Sequence, residues 1–196
     1  MPNAPEPFVP PPERWFPLFT ERLILREFRQ SDFDDIQAYG SDPEMVRYMD
    51  WGPNTPEMTR KFLDLRLVEQ GEWPRLGYSL AVEWAAEARV IGAVRLDVKD
   101  AANRSADLGY GFHRDFWGWG VATEAATALA RVGFERLGLH RLWATCDERN
   151  TASQHVLEKL GMQREGLMRS NVWSRGRWRD TLLYAVLAEE WAARAG

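Results

Sequence analysis

Residues Asp107 to Ala125 read Asp-Leu-Gly-Tyr-Gly-Phe-His-Arg-Asp-Phe-Trp-Gly-Trp-Gly-Val-Ala-Thr-Glu-Ala. Leu108, Tyr110 and Phe112 alternate with Gly109, Gly111 and His113, the period of a strand. Gly118 and Gly120 then remove Cβ atoms where the chain has to bend. From Ala122 the residues are good helix formers, Glu124, Ala125, Ala126, Ala128, Leu129 and Ala130 among them. The stretch predicts a strand, a tight turn and a helix start. A helix start carries unpaired N–H groups and partial positive charge, and glycines before it let phosphates approach the backbone. The pattern therefore suits an anion, a pyrophosphate above all. It also suits a strand-to-helix turn that binds nothing. It is not a dinucleotide-binding fingerprint, because the third glycine is missing, nor a P-loop, because no Gly-Lys-Ser/Thr follows.

Working outward, Thr20–Phe28 alternates as a first strand, and Ser31 or Asp32 is placed to cap a helix through Tyr39. Thr55-Pro-Glu-Met-Thr59 opens a second helix, with Pro56 at its first position, running to about Gln70. Gly77–Trp84 and Val90–Asp97 form an antiparallel hairpin. The central helix ends near Leu137, with Gly138 as its stop. Arg141–Cys146 is a further strand. Thr151–Leu160 is a helix in which Thr151 and Gln154 have capping-box spacing. Met168–Trp173 and Trp178–Leu187 close the chain as a second hairpin. The order predicts an α/β fold with a mixed, mostly antiparallel central sheet flanked by helices. The domain spans 20–188, between a Pro-rich arm at 1–19 and a tail at 189–196.

The 196 residues suffice for one domain with a full core. A net charge of −4 gives no global cationic field for nucleic acid. No apolar run reaches the roughly 18–20 residues of a membrane helix. Cys146 is the single cysteine, which excludes an intrachain disulfide and a cysteine-clustered metal site and fits the cytoplasm. His113, His140 and His155 have no ligand spacing, so no metal is expected. Seven of the eleven prolines fall in residues 1–17, which favours extended polyproline II. Phe8, Trp15 and Phe16 suggest that part of this arm lies against the domain. Trp173 and Trp178 make a homodimer a reasonable expectation among the ten tryptophans.

Trp117-Gly-Trp-Gly-Val-Ala-Thr-Glu-Ala125 resembles the acyl-CoA-binding loop of the GCN5-related N-acetyltransferases (GNAT). It is most similar to the RimJ/RimL-like branch, which acetylates ribosomal-protein N-termini. The family loop is Gln/Arg-x-x-Gly-x-Gly/Ala. Gly120 and Ala122 match its last two marked positions, and Trp117 replaces the Gln or Arg. Thr20-Glu-Arg-Leu-Ile-Leu-Arg26, Ser41-Asp-Pro-Glu44 and Trp51-Gly-Pro53 are typical of the branch. Asn150-Thr-Ala-Ser153 through Lys159-Leu-Gly-Met162 resembles a second family segment, with Met162 for the usual Phe.

The resemblance implies an acetyl-CoA-dependent enzyme acting by direct transfer to a primary amine, on a protein N-terminus or on an antibiotic, polyamine or amino-acid-like molecule. The candidate coenzyme residues are Tyr110, Phe112, His113, Trp117, Gly118, Trp119, Gly120, Val121, Ala122, Thr123, Asn150 and Ser153. Asn150 would hydrogen-bond the pantetheine arm, and it also suits a helix cap. Backbone N–H groups of Tyr110–His113 would hold the oxyanion. The tyrosine that many relatives place seven residues after the Asn is Leu157 here, so Ser153 is the candidate partner of the departing thiolate. A branch glutamate falls at Val172 and does not transfer. Asp107 is the candidate base or water-orienting group. Tyr48 and Trp51 are candidate substrate-wall residues. The missing tyrosine and glutamate also motivate a non-catalytic acyl-CoA-binding module, and the tryptophans and proline arm a scaffold with no coenzyme affinity.

Overall fold

The structure, a computed structural model, describes residues 8, 9 and 15–195. The polyproline expectation falls mainly on residues outside that range. Of the arm, Phe8, Trp15 and Phe16 pack against the core, with Trp15 and Phe16 6.4 and 6.1 Å from the Tyr78 ring.

Two short strands, β1 (Leu18–Phe19) and β2 (Leu23–Arg26), lead into the helices α1 (Phe33–Gly40) and α2 (Pro56–Glu69). Then come β3 (Gly77–Trp84), β4 (Arg89–Asp100) and β5 (Ser105–Phe112). The crossover helix α3 (Val121–Arg131) runs on as a π turn, Val132–Arg136, before β6 (Arg141–Asp147). Helix α4 (Thr151–Lys159), the hairpin β7 (Gln163–Ser174) and β8 (Arg177–Leu187), and helix α5 (Ala188–Ala195) follow. The strands form one sheet in the order β1-β2-β3-β4-β5-β6-β8-β7, and every neighbouring pair is antiparallel except β5–β6. A parallel pair needs a crossover, and α3 supplies it.

Helices cover both faces. On one, Ala125, Ala126, Leu129 and Ala130 of α3 are fully buried against Leu96, Leu108, Phe112 and Leu142 in one cluster. On the other, Ile36, Tyr39, Met45, Val46 and Leu63 gather with Ala81 and Val90. Small α3 side chains let the helix lie close to the sheet, where the crossover must fit.

Thr55 accepts from the N–H of Met58 (3.3 Å), and Pro56 opens α2, as the sequence predicts. Three local expectations change. Asp32 does not cap α1 with its side chain; it is buried and receives both Arg26 Nη1 and Nη2 at 2.8 Å. Asn150 caps α4, as its residue type suits, but Gln154 donates to the Glu148 carbonyl instead of closing a capping box with Thr151. The tail region is the helix α5, whose Trp191 stacks on Phe134 at 5.3 Å. β7 also begins five residues before the predicted strand, as an exposed outer strand with little apolar alternation to reveal it.

The feature that positions the site is how soon β5 and β6 part. They pair at three positions, Ser105↔Arg141, Ala106↔Leu142 and Asp107↔Trp143. Beyond Asp107, β5 keeps its partner β4 through Phe112, and β6 keeps β8 through Asp147. The sheet is open between Leu108–Phe112 and Ala144–Asp147. Close approach holds β4 to β5 here: a Cβ on Gly92 would meet the Gly111 carbonyl oxygen at 2.3 Å.

Candidate active site

A cavity of about 780 Å³ occupies this gap, within the range of small-molecule sites. Its walls include Leu108–Phe112 and Ala144–Asp147, and it reaches both faces of the sheet. On the α3 face it is lined by Trp117, Gly118, Gly120–Thr123, Asn150 and Ser153, and on the α1 face by Tyr39, Met45, Tyr48, Met49 and Phe62. Alternation along β5 sends Phe112 toward α3 and turns Gly111 to Met45, whose Cε lies 2.7 Å from where a Gly111 Cβ would be. Two reactants can enter from opposite faces and meet in the gap.

The glycine loop has the conformation its sequence demands. Gly118 and Gly120 both have φ of +79°, the left-handed region. Open space surrounds the Cβ position of Gly118. Gly120 is the N-cap of α3, and no side chain caps the helix. Its first N–H groups therefore face the cavity rim without a side-chain acceptor, an arrangement that suits phosphate oxygens. Glu124, in the same first turn, would oppose an anion. It is held by Arg22 Nε and Nη2 at 2.8 and 2.6 Å and by the Thr20 hydroxyl at 2.6 Å. Burial pushes its carboxyl up, and these hydrogen bonds outweigh that and hold it below its ordinary value.

Backbone donors line the gap. The His113 N–H is used within the sheet, on the Ile91 carbonyl at 2.7 Å. In an antiparallel ladder the next residues alternate, so the N–H groups of Phe112 and Tyr110 point the other way, to the side β6 has left. The Phe112 carbonyl points there too and accepts from Trp117 Nε1 at 2.8 Å. This bond explains a tryptophan at that loop position: it ties the turn to the strand it follows.

Ser153 lies at the N-terminal turn of α4. Asn150 Oδ1 accepts from its N–H at 3.1 Å, which leaves the Asn150 amide nitrogen free to donate. The Ser153 and Tyr110 hydroxyls are 2.9 Å apart, a contact that spans the gap from α4 to β5. The Ser153 hydroxyl also reaches the Cys146 thiol. Burial, against that hydrogen bond, pushes the Cys146 thiol up to about 11, so it is no nucleophile at neutral pH. Burial likewise pushes the Tyr110 phenol up. The Tyr110 hydroxyl as a partner of Ser153 was not read from the sequence; the usable signal was that strand alternation puts Tyr110 on the α3 and α4 side.

Asp107 lines the cavity and is buried, with Oδ2 on Arg95 Nη2 at 2.7 Å. Of the predicted site residues, all but His113 and Trp119 line this cavity. The His113 ring instead accepts from the Asp115 N–H at 3.2 Å, and Trp119 packs on Trp84 and Phe116 at 5.9 and 6.0 Å. Both hold the loop from outside.

A parted parallel pair, a left-handed glycine loop on a helix N-terminus and inward strand N–H groups agree with a family match: the acetyltransferase (GNAT) domain model covers residues 22–163. The chain belongs to the GNAT acetyltransferase family. The uncharacterized N-acetyltransferase p20 of Bacillus licheniformis is 36% identical over 180 residues, which are 89% of this chain and 98% of that one. A GNAT-family acetyltransferase of Bacillus anthracis has the same fold at a TM-score of 0.76 and 31% identity, over 86% of this chain and 96% of that one. A spermidine N-acetyltransferase of Vibrio cholerae, solved with CoA and spermine, shares the fold at a TM-score of 0.75 and 20% identity, over 88% and 99%. This GNAT chain is thus an acetyltransferase by family, and its fold is that of a CoA-binding structure.

Proposed function

We propose that this GNAT chain transfers the acetyl group of acetyl-CoA directly to a primary amine, as a cytoplasmic enzyme of the RimJ/RimL-like branch. A protein N-terminus is the first acceptor class, and a small amine the second. The observation that carries the reading is the open gap, with a helix N-terminus at one face and two inward strand N–H groups between. Gly118, Gly120 and the first N–H groups of α3 hold the pyrophosphate. The Asn150 amide donates to the pantetheine arm. The amine nitrogen adds to the thioester carbonyl, and the N–H groups of Tyr110 and Phe112 receive the negative oxygen. Collapse breaks the C–S bond, sulfur takes the electron pair, and the amine proton passes to it through water. Ser153, aligned by Tyr110, donates a hydrogen bond to the forming thiolate. Asp107, with one oxygen on Arg95, orients the water rather than serving as a free base.

Calorimetric titration with acetyl-CoA, and with CoA alone, tests the donor, and release of free thiol on adding amines tests turnover. Binding with an acetyl preference and amine-dependent thiol release are expected. Absence of binding to either compound would refute the reading.

Replacing Ser153 with Ala should lower kcat by about tenfold or more, the loss of one preorganised donor, and change coenzyme affinity little. Asn150 still caps α4 through the Ser153 N–H, so the helix should survive. Stopped-flow thiol detection checks this, and an unchanged rate would remove Ser153 from the chemistry.

A further inference from the structure

On the α1 face the gap ends in a group of arginines, although the chain as a whole carries −4. A small recess holds Arg47, Arg149, Arg175, Arg177 and Arg179, and it shares Tyr48, Met49, Asp147 and Arg179 with the large cavity. Two of the five cations have acids: Arg47 pairs with Glu44 at 3.1 Å, and Arg149 Nε and Nη2 pair with Asp147 at 2.9 and 2.5 Å. The other three, all from the β7–β8 hairpin, have no ion pair among the described residues.

Arg175 donates to the carbonyls of Val46 and Trp51 at 2.8 and 3.0 Å. Arg179 Nη1 donates to the Tyr48 carbonyl at 2.9 Å. These bonds fix the hairpin against the 46–51 segment but neutralise no charge. The Tyr48 ring has the guanidiniums of Arg47 and Arg149 over it, at 5.3 and 5.7 Å from its centroid.

Arg179 lines both the recess and the large cavity, so its charge borders the gap, while its Nε is enclosed by protein. Three guanidiniums without a carboxylate partner, gathered beside a cavity, favour an anionic ligand there. Asp147, whose charge Arg179 feels, has both oxygens on Arg149.

We propose that the acceptor is an amine that carries a carboxylate, drawn to the uncompensated guanidiniums of Arg179, Arg175 and Arg177, while the amine reaches the gap. This rests on the acetyl-transfer reading above. The carboxylate can belong to a free amino acid or to an acidic residue near a peptide N-terminus, and the two sources are separable.

The probes are Ala-Glu amide against Ala-Gln amide, and free glutamate against glutaminamide, which carries no carboxylate. Each is titrated calorimetrically into the protein and then assayed with acetyl-CoA for thiol release. The acidic member of a pair should bind and react at least tenfold better in kcat/KM than its neutral isostere, with the margin shrinking at high salt. Preference within the dipeptide pair assigns a peptide, and within the free pair an amino acid. Equal or better performance of both neutral members would overturn the proposal. Arg179→Gln should abolish the margin with acetyl-CoA affinity unchanged. Should that variant not fold, since it loses the Tyr48 bond, Arg177→Gln is exposed and should reduce the margin by itself. Failure of acetyl-CoA to bind would refute the parent reading, and the acidic-against-neutral binding difference would still decide the role of the arginines.

Discussion

Gly120→Glu should reduce coenzyme affinity by two orders of magnitude or more. Gly120 sits at φ +79°, where a side chain costs about 1–2 kcal/mol, and it is the N-cap of α3. A carboxylate at a helix N-terminus is itself favourable, so much of the strain is offset and the fold should persist. What is lost is the anion site, because the new carboxylate lies where phosphate oxygens must lie. Two unit charges about 4 Å apart at an effective dielectric near 20 repel by about 4 kcal/mol, close to a thousandfold in binding. Arg22 does not relieve this: its Nη2 lies 3.6 Å from the Gly120 Cβ position, but it is already held by Glu124. Calorimetry with acetyl-CoA and a thermal melt of the apo-protein check both halves. Gly120→Gln is the matched control, since it has the same size and the same backbone strain at φ +79° without the charge. Unchanged affinity in Gly120→Glu would mean that the loop is only a turn.

The loop was legible because its chemistry is local. Two glycines before a run of helix formers specify a left-handed bend and a helix start, and the structure has both. Element order was legible for the same reason, through strand alternation and turn residues. What the sequence hid depends on distant partners. Asp32 looks like a helix cap, but burial beside Arg26 and Glu83 turns it into an ion-pair member. His113 directly follows the right strand, yet ladder phase uses its N–H on Ile91, which phase a sequence does not state. Asp107 is acidic at a plausible position, but Arg95, twelve residues away on the neighbouring strand, ties one of its oxygens. The arginines of the α1 face are scattered over residues 47 to 179 and converge only when β8 meets the 46–51 segment. The parting of β5 and β6 has no sequence signal, since both strands alternate normally through it.

Arg26→Met should cost about 3–5 kcal/mol of stability, the usual effect of removing one partner from a buried ion pair. Arg26 is buried, with Nη1 and Nη2 on Asp32 at 2.8 Å and Nε on Glu83 at 2.6 Å. Without it, two carboxylates remain close together, one of them almost fully buried, with no cation between them. Methionine nearly fills the volume, so the loss is electrostatic rather than a cavity. For a chain of this size the melting temperature should fall by roughly 6–20 °C. Arg26→Lys keeps a charge but loses the fork, and should fall between. Arg26 also ties β2 to the turn before α1, because Asp32 accepts the Arg29 N–H at 2.8 Å as well. Helix α1 supplies Ile36 and Tyr39 to the α1 side of the cavity, the proposed acceptor side, while the glycine loop hangs from β5 and α3. Below its melting point the variant should therefore show a raised KM for amine and an unchanged affinity for acetyl-CoA. Urea unfolding gives the first number and the paired kinetics the second. A stable variant would show that the triad is solvated in solution. Loss of coenzyme binding in a still-folded variant would show that the two faces of the gap are coupled through the sheet rather than built independently.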